Sequence, residues 1–102
     1  MIEDQLVYVV IPKNFKGDEK NEERLAKELC VKEGATDIKV IDKFFDEDIP
    51  EVQNKKLWKT GMIISQLADA DYAYFVDGWK TDSESVFIYN ICKTYNIKIV
   101  RE

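Results

Sequence analysis

Four short apolar runs interrupt an otherwise polar chain. They are residues 6–11 (LVYVVI), 38–41, 72–76 and 97–100, and they carry many of the β-branched and aromatic residues that favour strands. The first run is apolar throughout, as expected for a strand buried on both faces of a parallel sheet. The pattern therefore predicts four strands, the third of which stops at Asp77 and Gly78.

Between these runs, apolar residues recur at helical spacing. Residues 20–34 carry isolated apolar positions on a charged background, which predicts an amphipathic helix with one solvated face. Residues 56–70 and 83–96 predict two further helices whose apolar residues cover more than one face. A helix that packs only on a sheet shows one stripe, so the wide faces favour a homodimer or a higher homo-oligomer. A thick local core is the alternative.

Strands and helices alternate along the whole chain, which is typical of the α/β class. We predict one domain over residues 1–102: a Rossmann- or flavodoxin-like three-layer αβα fold with a parallel four-stranded sheet in order 2-1-3-4. The strand order then reverses between the first and third strands, where such folds bind ligands. The loops at residues 11–17 and 77–84 are expected to face each other across one cleft.

Composition narrows the function classes. The net charge of −5 argues against nucleic acid or an anionic membrane as the partner. No apolar run approaches the roughly 20 residues of a membrane helix, and the acidic start MIEDQ argues against a secretory signal. Cys30 and Cys92 are isolated, so we expect two reduced thiols in a cytoplasmic protein.

The chain contains no histidine. This excludes Ser–His and Cys–His nucleophile pairs and every zinc pattern that needs histidine. The acidic segment DKFFDEDIPEVQNKK, residues 42–56, lacks the ligand spacing and the glycine of a calcium loop. We therefore expect no metal and no cofactor, and we expect Phe44 and Phe45 to pin this segment to the core.

Several motifs carry a resemblance to a known family. VIDKFF, KLW, LADADYAYFVDGW and the closing IKIV resemble the small phage- and Firmicute-type members of the nucleoside 2-deoxyribosyltransferase-like superfamily. The similarity covers nearly the whole chain and is strongest from Ile38 onward. In this family a glutamate on the helix after the third strand attacks the anomeric carbon of a nucleoside, and an Asp or Ser six residues earlier holds the sugar or base.

The resemblance implies that the nucleophile is missing here. Asp82 matches the family's Asp/Ser position, but the nucleophile position falls on Ile88, whose side chain cannot attack a carbon atom. Five further residues depart from the family pattern: Val10, Ile11, Lys80, Glu84 and Ser85.

Three hypotheses follow. The first is a catalytically degenerate protein that binds a nucleotide, nucleoside or related ribosyl compound. The second is an N-glycosidase or deoxyribosyltransferase that uses Glu84, as a displaced nucleophile, or Asp82. Four helical residues rise about 6 Å, which separates Glu84 widely from the family position. The third is an oligomeric protein-interaction module. The predicted ligand contacts are Lys13, Asp77, Gly78, Trp79, Asp82, Glu84 and Ile88.

Some of these residues also have structural interpretations. Thr81 and Glu84 fit a capping box at the start of the third helix. Asp77 or Asp82 could equally cap that helix instead of contacting a ligand.

Overall fold

The computed structural model of the protein describes residues 5–41 and 49–102. Within them, the elements in chain order are β1 (Gln5–Val10), α1 (Glu19–Lys32), β2 (Ile38–Val40), α2 (Lys55–Ala68), β3 (Tyr72–Phe75), a 3₁₀ turn (Trp79–Thr81), α3 (Ser83–Thr94) and β4 (Lys98–Arg101). The prediction for Phe44 and Phe45 lies outside the described residues.

The four strands form one parallel sheet in the order β2-β1-β3-β4, which confirms the predicted fold. β1 and β3 occupy the centre, with Val7 opposite Tyr72. A reciprocal pair of hydrogen bonds fixes the start of this register: the Leu6 amide donates to Asp71 Oδ2 at 2.8 Å, and the Asp71 amide donates to the Leu6 carbonyl at 2.8 Å.

Successive residues of the central strands enter two different cores. Val7 and Val9 pack on the face covered by α1, whereas Tyr8 and Val10 pack on the face covered by α2 and α3. This alternation is the ordinary consequence of strand geometry. Because both faces are covered, a short strand can be apolar along its whole length, as β1 is.

Side-chain caps set where two of the helices begin. Asp18 Oδ1 accepts hydrogen bonds from the amides of Lys20 and Asn21 at 3.0 and 3.3 Å, so α1 starts one residue before its predicted start. Asn54 caps α2 by accepting from the Leu57 amide at 2.9 Å. α2 ends two residues before its predicted end, where the amides of residues 69 and 70 bond three residues back instead of four.

The wide apolar faces of α2 and α3 divide into two parts. Trp58, Met62 and Tyr89 are half-buried, and Tyr89 packs against the core on this side of the sheet. Four other large apolar side chains on or just after these helices remain exposed: Leu57, Ile64, Phe87 and Tyr95. The last three line an open groove of about 670 Å³ between the two helices. No helix in the described part of the chain has the length and apolarity needed to cross a membrane.

Candidate functional site

A cleft opens at the carboxyl ends of β1 and β3, where the strand order reverses. Its inner part is a pocket of about 170 Å³ and its outer part is a cavity of about 470 Å³. Both parts are lined by Ile11, Lys59 and Glu84, so they form one continuous space. We call this space the cleft. Its walls come from the end of β1, the first turns of α2 and the start of α3.

The inner pocket has apolar side chains at its floor and polar side chains around them. Ile88 on α3 is only 3% exposed and lines the pocket together with Val10 and Ile63. Tyr8 also lines it and is 8% exposed. Its other polar lining residues are Lys59, Gln66, Glu84 and Ser85.

The Tyr8 hydroxyl has no hydrogen-bond partner among residues 5–41 and 49–102. Burial, followed by the charges of Glu84 and Cys92, raises the pKa of Tyr8 to about 12. The hydroxyl is consequently protonated at neutral pH and available as a donor. Because Glu84 lines the same pocket and its charge acts on this hydroxyl, we place the hydroxyl on the pocket side of the ring.

Asp82 is the N-cap of α3. Its Oδ2 accepts hydrogen bonds from the Ser85 amide at 3.1 Å and from Ser85 Oγ at 2.5 Å. The predicted capping box is wrong, because the Thr81 hydroxyl donates to the Gly78 carbonyl at 3.1 Å instead of capping α3. The other carboxylate oxygen of Asp82 has no protein partner within the described residues. Asp82 can therefore cap the helix and still accept one hydrogen bond from a ligand.

Three lysines from two elements line the outer cavity. Lys13 comes from the loop after β1, and Lys56 and Lys59 lie one turn apart on α2. Asp82, Ser83 and Glu84 line the opposite wall. Lysine and carboxylate side chains thus face one space in a chain whose net charge is −5. Lys13 was among the predicted ligand contacts, whereas Lys56 and Lys59 were not.

Asp77 and Gly78 line a smaller neighbouring cavity of about 130 Å³, together with Pro12 and Asn14 from the loop after β1. The two predicted loops therefore do face each other. Gly78 has φ +98°, a backbone conformation that side-chain-bearing residues rarely adopt. This conformation turns the chain from β3 into the 3₁₀ turn and so sets where α3 begins.

Asp77 is held by a polar network on the α1 side of the sheet. Its Oδ2 lies 2.9 Å from Arg101 Nη2. Arg101 also donates to the Tyr74 hydroxyl, which in turn donates to Glu22 Oε2 at 2.6 Å. The sequence analysis missed this network because its members lie far apart in the chain.

Trp79 does not line the cleft. It is buried in the core on the α2/α3 side and stacks on Tyr89, with ring centroids 4.6 Å apart. It also contacts Phe75 in a tilted arrangement, with ring centroids 5.0 Å apart. The predicted ligand contacts therefore separate into three groups. Lys13, Asp82, Glu84 and Ile88 line the cleft, Asp77 and Gly78 line the neighbouring cavity, and Trp79 packs in the core.

Two other grooves lie elsewhere on the molecule. One, of about 570 Å³, follows the edge strand β4, and the other is the apolar groove between α2 and α3. In open α/β sheets, ligands bind beyond the carboxyl ends of the strands at the switch point. The cleft meets this condition, so we take it as the candidate site.

Comparisons with protein-family models, with curated proteins and with solved structures gave no significant match. The function of the cleft is therefore inferred from its own residues.

Proposed function

We propose that this protein binds a nucleotide, a nucleoside or a related ribosyl compound in the cleft, without cleaving it. The observation that carries the proposal is Tyr8, a buried residue that lines the inner pocket and whose hydroxyl has no hydrogen-bond partner within residues 5–41 and 49–102. This hydroxyl is not among the fully buried, unpaired side-chain atoms of the described residues, so it can donate to water or to a ligand in the pocket. A ligand acceptor can take the place of water at this donor.

The rest of the cleft supports the same ligand class. The apolar floor at Val10, Ile63 and Ile88 suits the face of a planar ring, and the pocket is large enough for several water molecules that such a ring could displace. Asp82 and Glu84 at the rim can accept hydrogen bonds from sugar hydroxyls. The proposal includes a deoxyribosyltransferase-like ancestry and a cytoplasmic location, which the two buried free thiols favour.

Binding can be tested without knowing the ligand in advance. The protein purified from cells is denatured, and the small molecules it releases are identified by mass spectrometry. A panel of ribo- and 2′-deoxyribonucleosides and their 5′-phosphates is then added to the purified protein in thermal-shift and calorimetric measurements. We expect at least one compound to bind, and we expect Tyr8→Phe to weaken that binding. If no compound of this class binds, the proposal is wrong.

The enzyme hypothesis has one observation in its favour, because Glu84 lines the same pocket as Ile88. A nucleophile must come within about 3 Å of the carbon it attacks, and the two positions are separated by a helical rise of about 6 Å. We therefore expect no base release from any nucleoside or nucleoside monophosphate at pH 7, as measured by chromatography. Turnover that survives Ile88→Ala but vanishes in Glu84→Gln would establish the displaced nucleophile.

We also propose that two copies of the chain associate through the groove between α2 and α3. Ile64, Phe87 and Tyr95 are exposed there, and burying contiguous apolar surface drives association. Light scattering at micromolar concentration should give at least twice the mass of one chain. Phe87→Ser should restore the single-chain mass. A wild-type protein that already has the single-chain mass would rule out this interface.

A further inference from the structure

We infer that the ligand of the cleft carries a phosphate group, and that Lys13, Lys56 and Lys59 hold this phosphate at the outer cavity. The inference rests on the proposed function, since it specifies the chemical class of the compound that occupies the same cleft. It uses a different observation, because the lysines line the outer cavity and Tyr8 lines the inner pocket.

Three lysines line one cavity, and in the described part of the chain two of them form no ion pair. Within the described residues, Lys13 and Lys56 form no ion pair, unlike the neighbouring Lys55, which pairs with Glu51. Like charges near one cavity repel each other, and a bound anion offsets this repulsion. Ammonium groups on flexible stems are common phosphate ligands in proteins.

The carboxylates of the rim decide which phosphate compound fits. Asp82 and Glu84 line the same outer cavity and would repel an isolated phosphate ion. A phosphorylated ribosyl compound satisfies both signs of charge, because its hydroxyls donate to the carboxylates while its phosphate oxygens accept from the lysines. The mixed lining therefore favours a sugar phosphate unit over a free anion.

The two parts of the cleft also determine the orientation of the ligand. Lys59 and Glu84 line both parts, so the boundary between ring and phosphate falls beside them. The inner pocket, where Tyr8 and Gln66 lie beside apolar side chains, accommodates the uncharged end of the ligand. The phosphate then lies at the open end, on the side of the outer cavity lined by Lys13 and Lys56.

The test compares matched ligands with and without the phosphate. The four 2′-deoxynucleosides, their 5′-monophosphates and inorganic phosphate are titrated calorimetrically into the wild-type protein and into Lys13→Gln, Lys56→Gln, Tyr8→Phe and a control, Lys27→Gln. Lys27 is an exposed residue of α1 on the opposite side of the sheet. We expect the best monophosphate to bind at least about tenfold more tightly than its nucleoside, the usual scale of a charge-assisted hydrogen bond.

Lys13→Gln and Lys56→Gln should each weaken monophosphate binding by about tenfold and leave nucleoside binding unchanged. Tyr8→Phe should weaken both ligands by the same factor, and Lys27→Gln should weaken neither. Equal affinity for nucleosides and monophosphates, insensitive to both lysines, would overturn the phosphate inference and leave the proposed function standing. Binding of neither ligand would overturn both. Inorganic phosphate that binds as tightly as the monophosphates would also overturn the inference, because the cleft would then be a simple anion site.

Discussion

Two tyrosines on adjacent central strands, Tyr8 on β1 and Tyr74 on β3, have the same chemistry and opposite surroundings. Both are buried, but Tyr8 faces α2 and α3 while Tyr74 faces α1. The Tyr74 hydroxyl donates to Glu22 and accepts from Arg101, which also pairs with Asp77. The Tyr8 hydroxyl has no partner in the described part of the chain.

This difference separates a hydroxyl that joins elements of the fold from one that faces a cavity. The partly buried network of Tyr74 links α1, β3 and β4, because Glu22, Tyr74 and Arg101 lie on these elements. A hydroxyl without a protein partner makes no such link. At this end of the sheet, the α1 side therefore carries a polar network and the α2/α3 side carries the candidate site.

The largest expected effect is at Ile88, in the inner pocket of the cleft. Ile88→Glu places a carboxylate in a buried, apolar site. We expect the free energy of unfolding to fall by about 2–4 kcal/mol and no base release to appear. Urea denaturation and chromatography of nucleoside mixtures measure the two effects. The volume-conserving control Ile88→Met should cost less than about 1.5 kcal/mol, and a stable, active Ile88→Glu would contradict this description of the floor.

The tyrosine pair gives the most direct test of the comparison. Tyr74→Phe removes a hydroxyl that Glu22 and Arg101 both use, and Glu22 keeps only 16% of its side chain exposed. The free energy of unfolding should fall by about 1–3 kcal/mol. Tyr8→Phe removes a hydroxyl without a protein partner and should change it by less than about 0.5 kcal/mol. Equal losses in urea denaturation would mean that the two hydroxyls contribute equally to stability, against this comparison.

Alkaline pH should lower the free energy of unfolding through the raised pKa of Tyr8. Its pKa is 10.0 in the unfolded chain and about 12 in the folded protein. The unfolded state therefore releases this proton first, so the contribution of Tyr8 is complete below pH 10 and is lost as the pH rises towards 12. Between pH 9 and 11, under reducing conditions, Tyr8→Phe should lose about 1.4 kcal/mol less stability than the wild type. An identical loss in both proteins would show that Tyr8 is not shielded from solvent.

A modest effect on stability is expected at the N-cap of α3. Asp82→Ala removes the acceptor for the Ser85 amide and should cost about 1 kcal/mol of unfolding free energy, whereas Asp82→Asn keeps a cap. Both variants should weaken ligand binding more than they weaken folding, because both lack the charge that receives a sugar hydroxyl. Normal ligand affinity in both variants would restrict Asp82 to capping.

The sequence predicted the fold because local pattern and topology agree in an alternating α/β chain. Apolar runs located all four strands to within one residue at each end, and right-handed crossovers then leave few possible strand orders. The start of α3 was predicted correctly, but its cap was assigned incorrectly. Thr81-x-x-Glu84 fits a local rule, yet the 3₁₀ turn after Gly78 leaves Thr81 outside the helix.

The site was predicted less completely, for reasons of distance along the chain. Tyr74 meets partners that are 52 and 27 positions away, and no local pattern encodes such contacts. Trp79 directly follows the glycine that ends the third strand, which is a common place for an exposed ligand contact. Its large ring is instead buried in the core, and this burial determines its position. Lys56 and Lys59 resemble an ordinary solvated helix face. Both lysines lie in the first turns of the helix that follows β2, and those turns lie at the carboxyl end of the sheet. This position could have identified them as residues near the candidate site.

The reciprocal hydrogen bonds between Leu6 and Asp71 join residues 65 positions apart and have a kinetic consequence. The central β1–β3 pairing closes a long loop, and such non-local pairings form slowly. During synthesis, β1 leaves the ribosome long before β3, so its apolar edge stays open until residues 72–75 have emerged. Tyr8 and Ile88 meet only after this closure. A nascent or fragmented chain therefore exposes an aggregation-prone edge at the same strand that will later form one wall of the cleft.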